Sequence, residues 1–419
     1  MTGLHDTIAA VATAPGAAGV AVVRVSGPDA RSVAGRVAGA LPEAGRFAFA
    51  KFRNPSTGEV ADEGLVLSFA APRSYTGEDV VELQGHGGTV APRRVLESCL
   101  AAGARLARRG EFTERAFLNG KLGLDEAESL LDFINAKTDR AADAALAGME
   151  GARKRALRET YDAIVDLAAA IENALDVDES ELSETFFNGL QTGLDAIRVG
   201  IDGQIRRERE GAILREGALV VLAGPPNAGK SSLMNALLRQ ERAIVSSTPG
   251  TTRDTIEEWL DVEGWPVRLV DTAGLRETED AIEAEGVRRA KSLAERADVV
   301  LALDCEMEGA VRVHAKCDLG PGEGIAVSSL TGEGLPELRR AIAARLDALR
   351  ERCDDCRQGE ASVVPALTEC RALLPANFDD LVLSANALRA ASSRLAPEIG
   401  ADYSSDVLAR LFSRFCVGK

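Results

Sequence analysis

Positive charge is in short supply: 49 Lys and Arg stand against 65 Asp and Glu, a net charge of −16 over 419 residues. That balance argues against a protein that grips nucleic acid alone by neutralising phosphates, although a nucleic acid presented by a basic partner stays compatible with it. Basic stretches at 105–109, 153–158 and 206–209 read as solvated helix faces and loops. No apolar run has membrane-spanning length. The opening MTGLHDTIAAVATAPG lacks a basic region followed by an apolar core, which argues against a signal peptide and makes the cytoplasm the expected location. Cysteine is sparse and odd in number: seven, at 99, 305, 317, 353, 356, 370 and 416, too dispersed for a disulfide framework. Cys353 and Cys356 have metal or redox spacing, but no second pair lies nearby and His5, His86 and His314 are distant, so the two read as surface thiols.

What is present is ordinary for a folded protein: 46% hydrophobic and 27% charged residues, in a chain long enough for about two to four domains. The texture changes along it. Residues 1–119 read as α+β, with β-rich stretches at 18–25, 64–69 and 79–84 and helices near 29–40 and 90–102. Residues 120–214 carry apolar residues three and four apart, including Leu157, Tyr161, Ile164, Ala168 and Ile171, the stripe of a helix-bundle core. Gly189, Gly193, Gly200 and Gly203 predict helix ends or weak points there. Residues 215–345 alternate short strands and helices, and 346–419 are helical again, as expected of a helical domain interrupted by an inserted α/β domain.

The insert opens with ALVVLA at 218–223, a run apolar enough for a strand buried on both faces. It leads into Gly224-Pro-Pro-Asn-Ala-Gly-Lys-Ser231, a match to the phosphate-binding loop G-x-x-x-x-G-K-[ST], followed by a helix. In such a loop the backbone N–H groups of Asn227, Ala228, Gly229, Lys230, Ser231 and Ser232 face the phosphates. The Lys230 ammonium lies between β- and γ-phosphates, and the Ser231 hydroxyl is placed for Mg²⁺. About twenty residues on, Ser246-Ser-Thr-Pro-Gly-Thr-Thr252 offers a hydroxyl, best Thr252, that reaches Mg²⁺ only while a γ-phosphate is present. Asp271-Thr272-Ala273-Gly274 supplies the D-x-x-G element. Base reading falls to Ala315-Lys316-Cys317-Asp318, where the guanine-binding carboxylate Asp318 is kept but Ala315 replaces the usual Asn, and to Ser328, Ser329 and Leu330 in a second loop. These motifs in this order read as a GTPase.

Two further absences shape the chemistry. Leu275 follows Gly274 where a Ras-type enzyme has a water-orienting Gln, and no arginine finger is visible. The water must fall to another group, among Glu277, Glu279, Asp280, Glu283 and Glu285. Potassium could supply the missing positive charge, held by oxygens of Asn227 and residues 246–252.

Taken with the blocks Asp6-Thr-Ile-Ala-Ala, Gly19-Val-Ala-Val-Val-Arg24, Thr76-Gly-Glu-Asp-Val-Val-Glu82, Gly110-Glu-Phe-Thr-Glu-Arg and the terminal Phe415-Cys-Val-Gly-Lys419, the sequence resembles the bacterial tRNA-modification GTPase family MnmE, also called TrmE, over essentially its whole length. The resemblance implies a multidomain α/β protein. Residues 1–119 would form an α+β dimerisation and tetrahydrofolate-binding domain, residues 120–214 with 346–419 a discontinuous helical domain, and residues 215–345 a GTPase domain with a mixed, mostly parallel sheet. It implies GTP as substrate, Mg²⁺ on Ser231 and Thr252, and K⁺ on Asn227, Ser246, Thr248 and Thr251. Glu283 would orient water, and folate would contact Arg24, Glu82, Lys121 and Lys419. Cys416 matches the tail cysteine. It also implies a homodimer working with the flavoprotein MnmG, which carries FAD, on C5 of the wobble uridine of certain tRNAs, with GTP hydrolysis driving G-domain dimerisation and conformational change. A ribosome-assembly GTPase binding rRNA is the alternative; the acidic chain lacks the basic appendage that task requires. The turn at Gly16-Ala-Ala-Gly19 lacks the arginine often found in the family.

Overall fold

The structure is a computed structural model that describes residues 6–175, 182–240, 257–271, 293, 296–349, 351 and 363–400. The described residues divide into two compact units, one through Leu131 and the other from Asp132 to Gly400.

In the first unit, β1 (Ile8–Val11), β2 (Val20–Ser26), β3 (Phe47–Arg53), β4 (Val60–Phe69), β5 (Val80–His86) and β6 (Arg105–Leu106) form one sheet in the order β3-β4-β5-β2-β1-β6. Helices α1 (Ala30–Ala38) and α2 (Ala91–Ala101) belong to this unit, as does α3 (Glu111–Leu118). Alternation decides the faces. Val23, Val25, Val81, Leu83 and Phe52 point into a core with Val33 and Val37 of α1 and Val95 and Cys99 of α2. The strand Phe47–Arg53 escapes a reading by hydrophobicity because only Phe52 of its seven residues is buried.

Arg24 and Glu82 are cross-strand partners. Their register continues from Glu82 to Leu67 and from Leu67 to Phe47. Ionic contacts brace this half of the unit. The fully buried Arg115 reaches Asp6 at 2.7 Å, Glu78 at 3.2 Å and Glu111 at 3.3 Å, and Arg105 bonds Asp6 and Glu111 at 2.6 Å each. Burial pushes the Glu111 carboxyl up, but the Arg105 hydrogen bond and the Arg108 N–H outweigh it and the net shift is downward. Helix α4 (Leu124–Asn135) follows, with Leu124, Ala127 and Leu131 packed beside Phe117.

The second unit has a helical core and an α/β core. Helices α5 (Asp139–Met149), α6 (Ala152–Leu175) and α7 (Glu184–Glu216) precede the sheet. The sheet part comprises β7 (Ala218–Ala223), α8 (Lys230–Gln240), β8 (Glu257–Val262), β9 (Trp265–Asp271), β10 (Val299–Leu303), β11 (Val311–Ala315), β12 (Ile325–Val327) and α9 (Leu335–Leu349). Helices α10 (Val364–Leu373) and α11 (Leu381–Gly400) come after it. Ile164, Ile171, Leu194 and Ile201 share one apolar cluster with Leu367, Leu388 and Leu395, so helices from both sides of the α/β segment build a single core.

The predicted weak points in α7 are not breaks. The helix runs through Gly189, Gly193, Gly200 and Gly203 for 33 residues, ~50 Å. Each mid-helix glycine costs about 1 kcal/mol relative to alanine, and the stripe Leu190, Leu194, Ile197, Ile201 and Ile205 offsets it by packing. Gly193 also admits Leu167 close to the helix: a Cβ there would lie 3.3 Å from Leu167 Cδ1.

The sheet order is β12-β11-β10-β7-β9-β8. All neighbours are parallel except the β8–β9 hairpin, as a mixed, mostly parallel sheet requires. A single residue, Gly217, separates α7 from β7. Its φ of 76° and ψ of 143° are open only to glycine, and a Cβ there would stand 2.4 Å from the Trp259 ring. Gly217→Ala is expected to lower unit stability by about 3 kcal/mol, read as a lower urea midpoint with unchanged slope; an unchanged midpoint would show that the joint tolerates a side chain.

Candidate nucleotide and pterin sites

Strands β7, β9, β10, β11 and β12 run parallel, so their carboxyl ends share one edge, where open α/β sheets bind ligands. Four of the predicted elements reach that edge: the phosphate loop after β7, Asp271 at the end of β9, and the loops after β11 and β12. The phosphate loop turns between β7 and α8 with Gly224 at φ 151°, Asn227 at 62° and Gly229 at 94°. Gly224 passes so close to β10 that a Cβ would lie 2.6 Å from the Leu303 carbonyl. Lys230, almost fully buried, donates to the carbonyls of Gly224 and Pro225 at 2.8 Å each, which holds its ammonium inside the loop.

Ser231 Oγ donates to Asp271 Oδ2 at 2.5 Å. A hydroxyl and a carboxylate side by side, from the start of α8 and the end of β9, are the hard oxygens that a hydrated Mg²⁺ takes. The donor set thus fits the ion the motif implies.

On the base side, Lys316 adopts the left-handed conformation with φ 58° and starts the short 3₁₀ turn Cys317–Leu319 that carries Asp318. Lys316 Nζ donates to the Asn227 carbonyl at 2.8 Å, tying the base-reading loop to the phosphate loop. Ala315 is buried in the same apolar cluster as Val313, so the position that usually carries an amide gives a methyl to the core. Buried Ser328 accepts from the N–H groups of Leu330 and Thr331, shaping the second base loop and leaving Leu330 on the surface. Ser246, Ser247, Thr248, Pro249, Gly250, Thr251, Thr252, Thr272, Ala273, Gly274 and Glu283 lie outside the described residues, as do Cys353, Cys356, Cys416 and Lys419.

In the first unit, Arg24 Nε donates to Glu82 Oε1 at 2.9 Å. The guanidinium lies 5.0 Å from the Tyr75 ring centre and 5.6 Å from that of Phe112. Burial lifts the Tyr75 phenol above its usual value, against its hydrogen bond with Thr113 and the charge of Arg24. Lys121 packs against Gly77, where a Cβ would come within 3.1 Å of Lys121 Cγ. Arg24 and Lys121 thus both border the turn that starts at Tyr75, Glu82 pairs with Arg24, and the set mixes both signs of charge with aromatic faces. That chemistry fits a pterin edge and a glutamate tail.

The N-terminal and helical parts each match a family model: residues 7–121 the GTP-binding protein TrmE N-terminus and residues 124–416 the MnmE helical domain. The chain is 40% identical to a tRNA modification GTPase MnmE of Nitrosospira multiformis over 449 aligned positions, covering 99% of each chain. It is 42% identical to that of Laribacter hongkongensis, covering 100% of both. This chain belongs to the MnmE family of tRNA modification GTPases. The alignments run longer than its 419 residues, so these relatives carry stretches with no counterpart here.

Sequence reasoning missed the second tie on the base loop. His314, on β11, donates through Nε2 to the Gly320 carbonyl at 2.8 Å, with Nδ1 3.0 Å from Asp304. A signal existed: β10 and β11 are separated by only residues 304–310, too few for a crossover helix.

Asp318→Asn tests the base reading. A carboxylate can accept two hydrogen bonds from the guanine edge, and an amide can match only one. Equilibrium titration is expected to show GDP binding weakened about 100-fold, with xanthosine diphosphate gaining; equal GDP affinity would remove Asp318 from the site.

Proposed function

We propose that this chain is the GTP-hydrolysing component of an enzyme that modifies the wobble uridine, position 34, of certain tRNAs at C5, adding an aminomethyl or carboxymethylaminomethyl group. The observation that carries it is the match over 99% of the chain to MnmE proteins, joined to a phosphate loop and a charged, aromatic N-terminal site in the same molecule. In this reading residues 1–119 dimerise and bind tetrahydrofolate. Residues 120–214 with 346–419 form the helical domain and residues 215–345 the GTPase domain. The protein works as a homodimer with the FAD-bearing partner MnmG, in the cytoplasm.

The division of labour follows from the side chains. Asn227 to Ser232 cradle the phosphates, and Ser231 and Thr252 hold Mg²⁺, with Asp271 beside Ser231. Asn227, Ser246, Thr248 and Thr251 hold K⁺ against the charge that builds in the transition state. Glu283 orients the attacking water, while Ser246 to Thr252 and Thr272 to Gly274 sense the γ-phosphate. Lys316, Asp318 and the Ser328 to Leu330 loop hold guanine. Arg24, Glu82, Lys121 and Lys419 hold the folate, which supplies the one-carbon unit, with Cys416 close by in sequence. Hydrolysis closes opposed GTPase domains and the helices carry the motion. Exposed Phe47 and Phe49 support dimerisation through the first unit: they stand on an edge strand in register with Leu65 and Leu67, a patch that isolated monomers rarely leave open.

Mass spectrometry of wobble nucleosides in tRNA from a strain lacking this protein tests the function. Loss of the C5 substituent, restored by the wild-type gene, is expected; intact wobble uridines with defective ribosomal subunits would favour the rRNA-binding reading instead. Hydrolysis is expected to be about tenfold faster or more in KCl than in equal NaCl, a difference that Asn227→Ala removes. Equal rates in the two salts would discard the potassium site.

A further inference from the structure

The connection between β10 and β11 consists of residues 304–310. Parallel neighbours ordinarily need a dozen or more residues and a helix between them. Here the sheet face beside this connection is polar: Arg312 and His314 project from β11 on the side opposite Val311, Val313 and Ala315, which face the core. Arg312 pairs with Glu306 of the short connection and with Glu323 before β12. His314 lies between Asp304, the first residue of the connection, and the Gly320 carbonyl just past the turn that carries Asp318. Its ring occupies the space above Gly322, where a Cβ would fall 2.2 Å from Nδ1. A cavity of about 300 Å³ lined by Asp304, Glu306, Arg312, His314 and Glu323 leaves room for water beside the imidazole.

Hydrogen-bond chemistry settles which form of the ring fits. A carbonyl accepts only, and an ionised carboxylate accepts only. Both contacts are complete only when both ring nitrogens carry protons. A neutral ring keeps one bond and turns a lone pair toward the other oxygen. We propose that His314, held as an imidazolium between Asp304 and the Gly320 carbonyl, is a positioning residue for the loop that presents Asp318 to guanine, so that guanine-nucleotide affinity follows the protonation of this side chain. The inference rests on the base-reading role proposed for Asp318.

The surrounding charges agree in sign. From the connection come Asp304 and Glu306, with the Cys305 thiol beside them; from β11 comes Arg312, its charge shared by Glu306 and Glu323. After β11, Lys316 is turned to the phosphate loop, and Asp318 adds a further negative charge nearby. The bond to Gly320 and then that to Asp304 hold the His314 pKa above the ordinary 6.5. The clamp is therefore complete at low pH and lost as pH rises through that raised value. It takes the place, from the other side of the loop, of the amide that Ala315 does not provide.

Fluorescent GDP titrated into the full-length protein between about pH 6 and about pH 8.5 reads the effect. The dissociation constant of the wild type is expected to rise about fivefold across that range relative to His314→Gln, whose amide can bond Gly320 at every pH. Linkage requires the reciprocal: GDP must raise the His314 pKa by the matching factor, seen by imidazole NMR, which is practicable with three histidines in the chain. A pH profile shared by wild type and His314→Gln, or a His314 pKa unmoved by GDP, would overturn the clamp while leaving the guanine site standing. Failure to bind GDP at any pH would overturn the guanine site and the clamp together.

Discussion

The second unit depends on one fixed joint. Helix α7 ends and β7 begins across Gly217, in a backbone conformation only glycine adopts and with the Trp259 ring filling the space where a side chain would be. The direction and register of β7 follow from that joint, and the phosphate loop follows from the end of β7. The neighbouring hairpin is seated just as firmly. The Arg140 guanidinium of α5 stacks 4.0 Å from the centre of the fully buried Trp265 ring and bonds Glu210 of α7. Arg339 of α9 donates to the Asp261 carbonyl near the hairpin tip, and a Cβ at Gly264 would lie 3.4 Å from the Arg140 stem. Three helices thus hold one hairpin whose two strands lead, in sequence, to the hydroxyl-rich segment before β8 and the acidic segment after β9. A guanidinium stacked on indole with a carboxylate partner is anchored in direction as well as in charge.

The first unit solves a different problem. Its sheet buries one face under α1 and α2, while the other carries an ion pair, aromatic rings and, at the β3 edge, exposed phenylalanines. The Arg24–Glu82 pair alone is an ordinary cross-strand contact. What distinguishes it is its surroundings: Tyr75 and Phe112 beneath the guanidinium, and a buried Arg115 whose three carboxylate partners fix the helix start and the turn that border it. Buried charge of this kind contributes little net stability. Its effect is to hold Asp6, Glu78 and Glu111 in one arrangement, which is what a preformed site needs.

Much of this was legible in the sequence where one physical cause acted alone. The apolar run of β7 and the glycine-cornered loop after it give strand, turn and helix without tertiary help, and the structure has them at Ala218–Ala223 and Lys230–Gln240. The helical stripe through Ile164 and Ile171 was readable for the same reason. Reading failed where packing outweighed local preference. Gly189, Gly193, Gly200 and Gly203 signal helix ends or weak points, yet the stripe facing α6, α10 and α11 carries α7 through. Strand β3 went unread: two of its three phenylalanines are exposed and only Phe52 is buried, so it shows no continuous apolar face. The Arg140–Trp265 stack joins residues too distant in sequence for any local pattern to connect.

The base-reading loop shows how several departures form one consistent set. A β10–β11 connection this short gives the sheet no apolar cover of the kind a crossover helix provides, and the strand cannot present a hydrophobic residue at 312 or 314 without exposing it. Arg312 and His314 meet that requirement, and each finds acceptors within the same short stretch, Glu306 and Glu323 for one and Asp304 and Gly320 for the other. Gly322 then has to be glycine because the imidazole occupies its Cβ position. Position 315, on the opposite face, needs only to fill the core, and alanine does so. With Lys316 pinned to Asn227 on one side and Gly320 pinned to His314 on the other, the turn bearing Asp318 is held at both ends. An Asn at 315 would add a third tie to a loop that already has two.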